Sequence, residues 1–370
     1  MEFKVNTKEF ERVLSQLIPI IPSRTPLVIL EHFLLSIRDN LLIVYATDSN
    51  IAFQTSIPVI SNGDFEATVP ARLLHDTVKS LPDTDIKIVF QESDKRMVIH
   101  TDTGKFSLVY ASHDEFPKLP KVEEKLSFNI SGEKLKYALE TTDFAYDRES
   151  QRLSLTGILM DIKTDKVVFV STDGHRLVKL SFKNITTDFE AQIIIPGKSA
   201  NILSKLLDEK EVRIIVSEKL VKFEIDSSEF ITRIIEEKYP NYESVIPLEN
   251  ENVLKVNRED LLKVLKRISL YTHSKTRQIK FTLDKDILSV FAENMEMGSE
   301  AIEKMLCEYS GEQMTVAFKV DFLIDILNNI STNEVYFKLD KPVRPCLVEP
   351  LTQNENENLL MLVMPMRINA

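Results

Sequence analysis

Phe3-Lys4-Val5-Asn6 stands at the head of this chain. The same kind of tetrad returns as Phe128-Asn129-Ile130-Ser131 and as Leu254-Lys255-Val256-Asn257, shifts of 125 (3 to 128) and 126 (128 to 254) residues. Each tetrad alternates apolar and polar residues, the period of a strand with one buried face, and each runs straight into a charged stretch of helical period. In the first copy Phe10, Val13, Leu14 and Leu17 lie at i, i+3, i+4 and i+7, the stripe of an amphipathic helix. The same shifts carry that stripe to Leu135, Ala138, Leu139 and Thr142, and then to Leu261, Val264, Leu265 and Ile268. A second stripe, Leu74, Thr77, Val78 and Leu81, recurs as Ala200, Leu203, Ser204 and Leu207 and as Leu323, Ile326, Leu327 and Ile330. Pro70 and Pro196 stand just before this second helix, where a fixed φ and a missing N–H cost least, and Lys319 takes their place in the third copy.

Around the helices lie short alternating or apolar runs such as 41–46, 86–90, 106–110, 167–170, 212–216 and 230–235, which read as antiparallel strands. The chain is therefore expected to be α+β, with three similar domains at 1–120, 121–248 and 249–370, separated near Phe116-Pro117-Lys118-Leu119-Pro120 and the proline-bearing stretch 239–247. Three copies of this size are too few and too large for a solenoid. A chain of like domains whose end matches its beginning can close by head-to-tail dimerisation.

Composition narrows the function. No run approaches the roughly 20 apolar residues of a membrane helix, and the start Met1-Glu2-Phe3-Lys4 has no signal-peptide core. With only Cys307 and Cys346, a reduced, cytoplasmic setting without a disulfide framework is expected. The net charge of −11 argues against coating nucleic acid by bulk attraction. Only eight glycines occur, none in a phosphate-cradling spacing, so no nucleotide cofactor is expected. The six histidines form no zinc or H-E-x-x-H pattern, no G-x-S-x-G elbow is present, and neither cysteine has a neighbouring histidine. No metal site and no catalytic constellation follow.

Positive charge nevertheless recurs on the helix faces opposite the apolar stripes. Arg72 and Lys79 in the first copy correspond to Lys198 and Lys205 in the second, and to Asp321 and Asn328 in the third. Lys8 and Arg12, then Lys134 and Lys136, then Lys263, Lys266 and Arg267 mark the other helix. Isolated helix charges are ordinarily solvated surface, but repetition at equivalent positions favours a shared, sequence-blind surface for phosphates.

The apolar run Val167 to Val170 breaks into the turn Thr172-Asp173-Gly174-His175-Arg176-Leu177. Asp bonds its own backbone and Gly accepts φ > 0, so a strand entering a tight turn is expected. Taken with the threefold repeat, this turn, Tyr239-Pro240-Asn241-Tyr242, Val245-Ile246-Pro247 and the ending Met364-Pro365-Met366-Arg367 resemble the bacterial sliding clamp family, the beta subunits of DNA polymerase III. The resemblance runs from Met1 to Arg367.

The resemblance implies a crescent of three similar domains closing head-to-tail into a six-domain dimeric ring, with helices inside and sheets outside. It implies a non-catalytic processivity factor that encircles double-stranded DNA without regard to sequence and tethers the replicative polymerase. A clamp loader and other clamp-motif proteins would share one partner pocket between the second and third domains. Leu155, Thr172, Gly174, His175, Arg176, Leu177, Pro240 and Val245 would form one side of that pocket, and Leu362, Met364, Pro365, Met366 and Arg367 the other. Arg24, Arg72, Lys79, Lys198 and Lys205 would face DNA, and Phe106, Leu270 and Tyr271 the second subunit. Two departures stand out: the tail Ile368-Asn369-Ala370, and Asp321 with Asn328 on the third basic face. Two other readings stay open: a scaffold of the same fold that binds peptides but does not encircle DNA, and an enzyme built on repeated α+β domains.

Overall fold

The computed structural model describes residues 1–368, so Asn369 and Ala370 of the tail lie outside the described residues. The three tetrads lie in the strands Glu2–Asn6, Leu126–Ser131 and Asn252–Asn257. Among the described residues the α-helices are α1 (Thr7–Leu17), α2 (Ala71–Lys79), α3 (Gly132–Thr142), α4 (Gly197–Ser204), α5 (Arg258–Ile268) and α6 (Val320–Asn328), two to each repeat. The last residue of the tetrad explains why strand becomes helix. Asn6 Oδ1 accepts from the Lys8 and Glu9 amides at 2.9 and 3.4 Å, and Asn257 Oδ1 from the Asp260 amide at 3.0 Å, so each side chain satisfies backbone donors that the first helical turn leaves without partners.

The first stripes are buried as expected in α1 and α5. In α2 one position differs. Thr77 is only half-buried, and His75 takes its place on the buried face with Ala71, Leu74 and Val78. The reason is the contact with α1, where His75 Nε2 lies 2.9 Å from Ser15 Oγ. The imidazole finds a polar partner there, while Thr77 turns its hydroxyl back to the Leu73 carbonyl at 2.7 Å. Pro70 closes the preceding strand and occupies the N-cap of α2, one step before the first helical residue.

By contacts the chain forms two compact units, Met1–Lys136 with Asn201–Ile234, and Tyr137–Ala200 with Ile235–Ala370. They cut across the repeats because each unit holds a sheet built from two of them. In the first unit an eight-stranded sheet joins the two copies where Ser228–Arg233 runs antiparallel to Ile51–Pro58, with Phe230 opposite Phe53. In the second, a nine-stranded sheet joins them where Arg176–Lys183 runs antiparallel to Glu357–Val363, with Leu180 opposite Leu359. Each unit also has a smaller sheet with an edge strand that, among the described residues, pairs on one side only: Lys105–Val109 in the first and Ser299–Leu306 in the second.

In the first unit α1 and α2 cover one face of the larger sheet. The other face is partly roofed by the segment after Val109: Phe116 packs edge-on against Tyr45, their ring centroids 5.5 Å apart. The second unit repeats this device, with Tyr239 and Tyr242 packed on Val168, Val170 and Leu177. The connecting segments are thus pinned to the sheets by aromatic side chains rather than left as loose linkers.

Candidate partner pocket and nucleic-acid face

The turn between Lys166–Thr172 and Arg176–Lys183 is held from within. Thr172 Oγ1 donates to the Arg176 carbonyl at 2.6 Å and accepts from the Gly174 amide at 3.0 Å, while Asp173 Oδ1 accepts from the His175 and Arg176 amides at 2.8 and 2.9 Å. Gly174 sits at φ +84°, a left-handed conformation that other residues enter at a cost. Local turn chemistry thus sets the shape of this corner.

Arg176 fixes the corner to its surroundings. Its guanidinium, 12% exposed, pairs with Asp173 at 3.1 Å and with Asp325, donates to the Phe144 carbonyl at 2.6 Å, and stacks over the rings of Phe322 and Phe144 at 4.7 and 5.1 Å. A planar fork that meets two carboxylates and two rings has little left to offer a ligand. Arg176 is a strut of this corner rather than a free donor on it. Beside it, the His175 ring stacks on Phe322 with centroids 6.3 Å apart.

Next to the turn, Leu177 and Leu362 are register partners in the sheet and belong to one apolar cluster with Tyr239, Tyr242 and Leu347, against which Ile246 and Met364 pack partly exposed. Met364 is held by its amide bond to the His175 carbonyl at 2.8 Å, and Met366 by one to the Ala317 carbonyl at 2.7 Å. The carbonyl of Arg367 accepts from Gln278 Nε2 at 3.0 Å. The segment from Met364 to Arg367 is therefore hydrogen-bonded into the fold while Met364, Pro365 and Met366 stay partly exposed. Of the other residues expected here, Leu155 is buried in a 3₁₀ turn, and Gly174, His175, Pro240 and Val245 are exposed.

Tyr239, Tyr242 and Leu347 were not among the sequence candidates. The Tyr242 hydroxyl donates to Asp161 at 2.8 Å and the Tyr239 hydroxyl to the Val170 carbonyl at 3.4 Å; burial pushes both phenols well above the usual tyrosine range. Their signal was present in Tyr239-Pro240-Asn241-Tyr242, but only tertiary packing shows that the rings, rather than the proline between them, carry the anchoring.

Arg24, Arg72, Lys79, Lys198 and Lys205 all lie exposed, Arg72 and Lys79 on α2, Lys198 on α4 and Lys205 one residue past its end. Arg72 also donates to the Ile21 carbonyl at 3.1 Å, and Lys205 to Asn201 Oδ1 at 3.0 Å. In the third copy Asp321 does not stand as a bare negative charge, because Arg277 grips it at 2.8 Å. Arg267 is tied at 2.6 Å to Glu303, whose carboxyl it holds below the usual range. Phe106 lies on the edge strand Lys105–Val109, 40% exposed. Leu270, 80% exposed, and Tyr271 lie on the turn Ser269–Tyr271, which packs on the edge strand Ser299–Leu306. That strand adds exposed Ile302 and Leu306, which the sequence analysis missed. Among the described residues no helix is long and apolar enough to cross a membrane.

Three family models match in order along the chain. The N-terminal domain of the DNA polymerase III beta subunit matches residues 1–120, its central domain 129–241 and its C-terminal domain 243–367. Beta sliding clamps of Chlamydia pneumoniae and Pseudomonas aeruginosa are each 28% identical, with all of this chain and all of theirs covered. Among solved structures, a Pseudomonas aeruginosa sliding clamp bound to griselimycin superposes with a TM-score of 0.94 at 28% identity, and one from Bartonella birtlesii, also bound to griselimycin, with 0.94 at 30%. Both cover the whole of each chain. The chain therefore belongs to the DNA polymerase III beta subunit family, the non-catalytic DNA sliding clamps of DNA replication.

Proposed function

We propose that this clamp works as a head-to-tail homodimeric ring around duplex DNA and holds the replicative polymerase by a short peptide seated against Leu177, Leu362 and Met364. Tethering of this kind acts through effective concentration, raising apparent affinity without new contacts to DNA. The observation that carries the pocket is the meeting of two sequence-distant segments: the self-bonded turn at Thr172 and the hydrogen-bonded segment at Met364 border one apolar cluster with partly exposed methionines. Leucine or phenylalanine side chains suit such a surface, and thioethers adapt to more than one partner. The clamp loader and other clamp-motif proteins would compete there.

The two edge strands support ring closure, since an edge that exposes Phe106 and one that exposes Ile302 and Leu306 are liabilities unless another strand covers them. Scattered cations on α2, on α4 and just past its end suit sliding, because many firm phosphate contacts would hold the ring in place. This work is assigned to the cytoplasm, with no cofactor.

The test of the pocket is a titration with a fluorescent peptide carrying adjacent leucine and phenylalanine, against the full chain and a variant ending at Val363. Binding lost in the shortened chain, with dimer mass unchanged, is the expected result. Equal affinity in both would remove the pocket from this surface.

A further inference from the structure

The first unit contains a second copy of the corner just described. Thr47 Oγ1 donates to the Ile51 carbonyl at 2.7 Å and accepts from the Ser49 amide at 3.1 Å, while Asp48 Oδ1 accepts from the Asn50 and Ile51 amides at 3.0 and 2.7 Å. These are the bonds of Thr172, Gly174 and Asp173, shifted by 125 residues (47 to 172). Ser49 adopts φ +76°, close to the +84° of Gly174, although serine enters that region at a cost. The neighbouring strand matches as well. Ala52 is the register partner of Ile231 as Leu177 is of Leu362, and the Arg233 amide donates to the Asn50 carbonyl at 3.0 Å as that of Met364 does to His175.

At this corner lies a cavity of about 210 Å³, bordered by Ile51, Ala52, Leu220 and Ile231, with exposed Lys219 and Arg233 at its rim. The substitutions between the two corners say what would fit. Ala52 in place of Leu177 leaves room where the other corner has a side chain. Ile51 in place of Arg176 makes the wall apolar. Arg233 in place of Met364 puts a cation where the other pocket has a thioether, with Lys219 beside it. The volume is below the range of small-molecule sites and suits one side chain.

We propose that this corner is a second peptide-docking cleft, taking a short extended segment with one leucine-sized side chain flanked by carboxylates. The apolar side chain fills the space beside Ala52, and the flanking carboxylates meet Arg233 and Lys219 in charge-assisted bonds. The inference rests on the peptide reading of the Leu177 pocket, of which it is the internal duplicate. Its different rim gives it a different partner preference: acidic segments here, apolar ones there.

The experiment uses two peptides, Gly-Asp-Leu-Asp-Gly and the leucine-phenylalanine peptide above, titrated by calorimetry into the full-length dimer, the variant ending at Val363, and the full-length variant Lys219→Glu with Arg233→Glu. Both changed side chains are exposed, and a Lys219→Gln, Arg233→Gln pair gives a milder check on folding. The acidic peptide is expected to bind full-length and shortened chains alike, and to lose at least tenfold in affinity in the charge-reversed chain, less in the neutral pair. Acidic-peptide binding that disappears with the shortening, that survives charge reversal, or that is absent altogether overturns the second cleft. The leucine-phenylalanine peptide reports separately on the first pocket, so failure of either reading is seen on its own.

Discussion

Arg176 makes contacts that no other side chain can duplicate. It combines two carboxylates, a carbonyl and two ring faces, with only 12% of its side chain exposed. Lysine retains the charge but loses the fork and the stacking, so Arg176→Lys should lower stability by roughly 1–3 kcal/mol, on the scale of lost charged hydrogen bonds. A urea midpoint indistinguishable from the parent would show that the strut is dispensable. Gly174→Ala meets no atom within 4 Å of its new Cβ and so isolates the backbone cost, expected at about 1–2 kcal/mol. Thr172, Asp173 and Gly174 were legible in the sequence because their bonds close within five residues. The role of Arg176 was not, since Asp325 and Phe322 lie far along the chain.

At the scale of elements, the pinned connecting segments bear on alkaline stability. Burial pushes Tyr45, on which Phe116 packs, up to about 12, and raises Tyr239 and Tyr242 as well. A group whose pKa is higher folded than unfolded contributes stability that is complete below its unfolded value, about 10 for tyrosine, and is lost as pH rises through the folded one. Denaturation midpoints should therefore fall between about pH 10 and pH 12, and Tyr45→Phe should flatten part of that slope. An unaltered slope in that variant would contradict the assignment. The edge strands make a second prediction. Leu306, 82% exposed, should be covered in the dimer, and Leu306→Glu should weaken dimerisation by about ten- to a hundredfold, the equivalent of one lost leucine burial. Sedimentation of the variant as a parent-like dimer would place the interface elsewhere. Phe106, Leu270 and Tyr271 came from the family resemblance. Ile302 and Leu306 did not, because only the sheet order reveals that 299–306 is an edge.

For the whole molecule, the threefold repeat was readable because strand and helix periods survive where individual residues do not. The two compact units were hidden: they depend on which strands pair across repeats, as Phe230 does with Phe53 and Leu180 with Leu359. Charge was only partly readable. Arg72, Lys79, Lys198 and Lys205 in the first two copies are exposed, and so is Arg267 on α5, but Arg267 is tied to Glu303 from a distant strand. Replacing Arg72, Lys79, Lys198 and Lys205 by Glu should therefore impair association with DNA while leaving peptide binding at Met364 intact. Normal loading of that variant would mean that the DNA-facing residues lie elsewhere.

The central claim is topological, and so is its most direct test. The protein is incubated with nicked circular plasmid, a compatible clamp loader and ATP, and its retention is measured before and after a restriction enzyme linearises the circle. A ring that encircles and slides stays on the circle and runs off the cut DNA. Retention that survives cutting, or an absence of loading by an active loader, would contradict encirclement and leave a peptide-binding scaffold of the same fold.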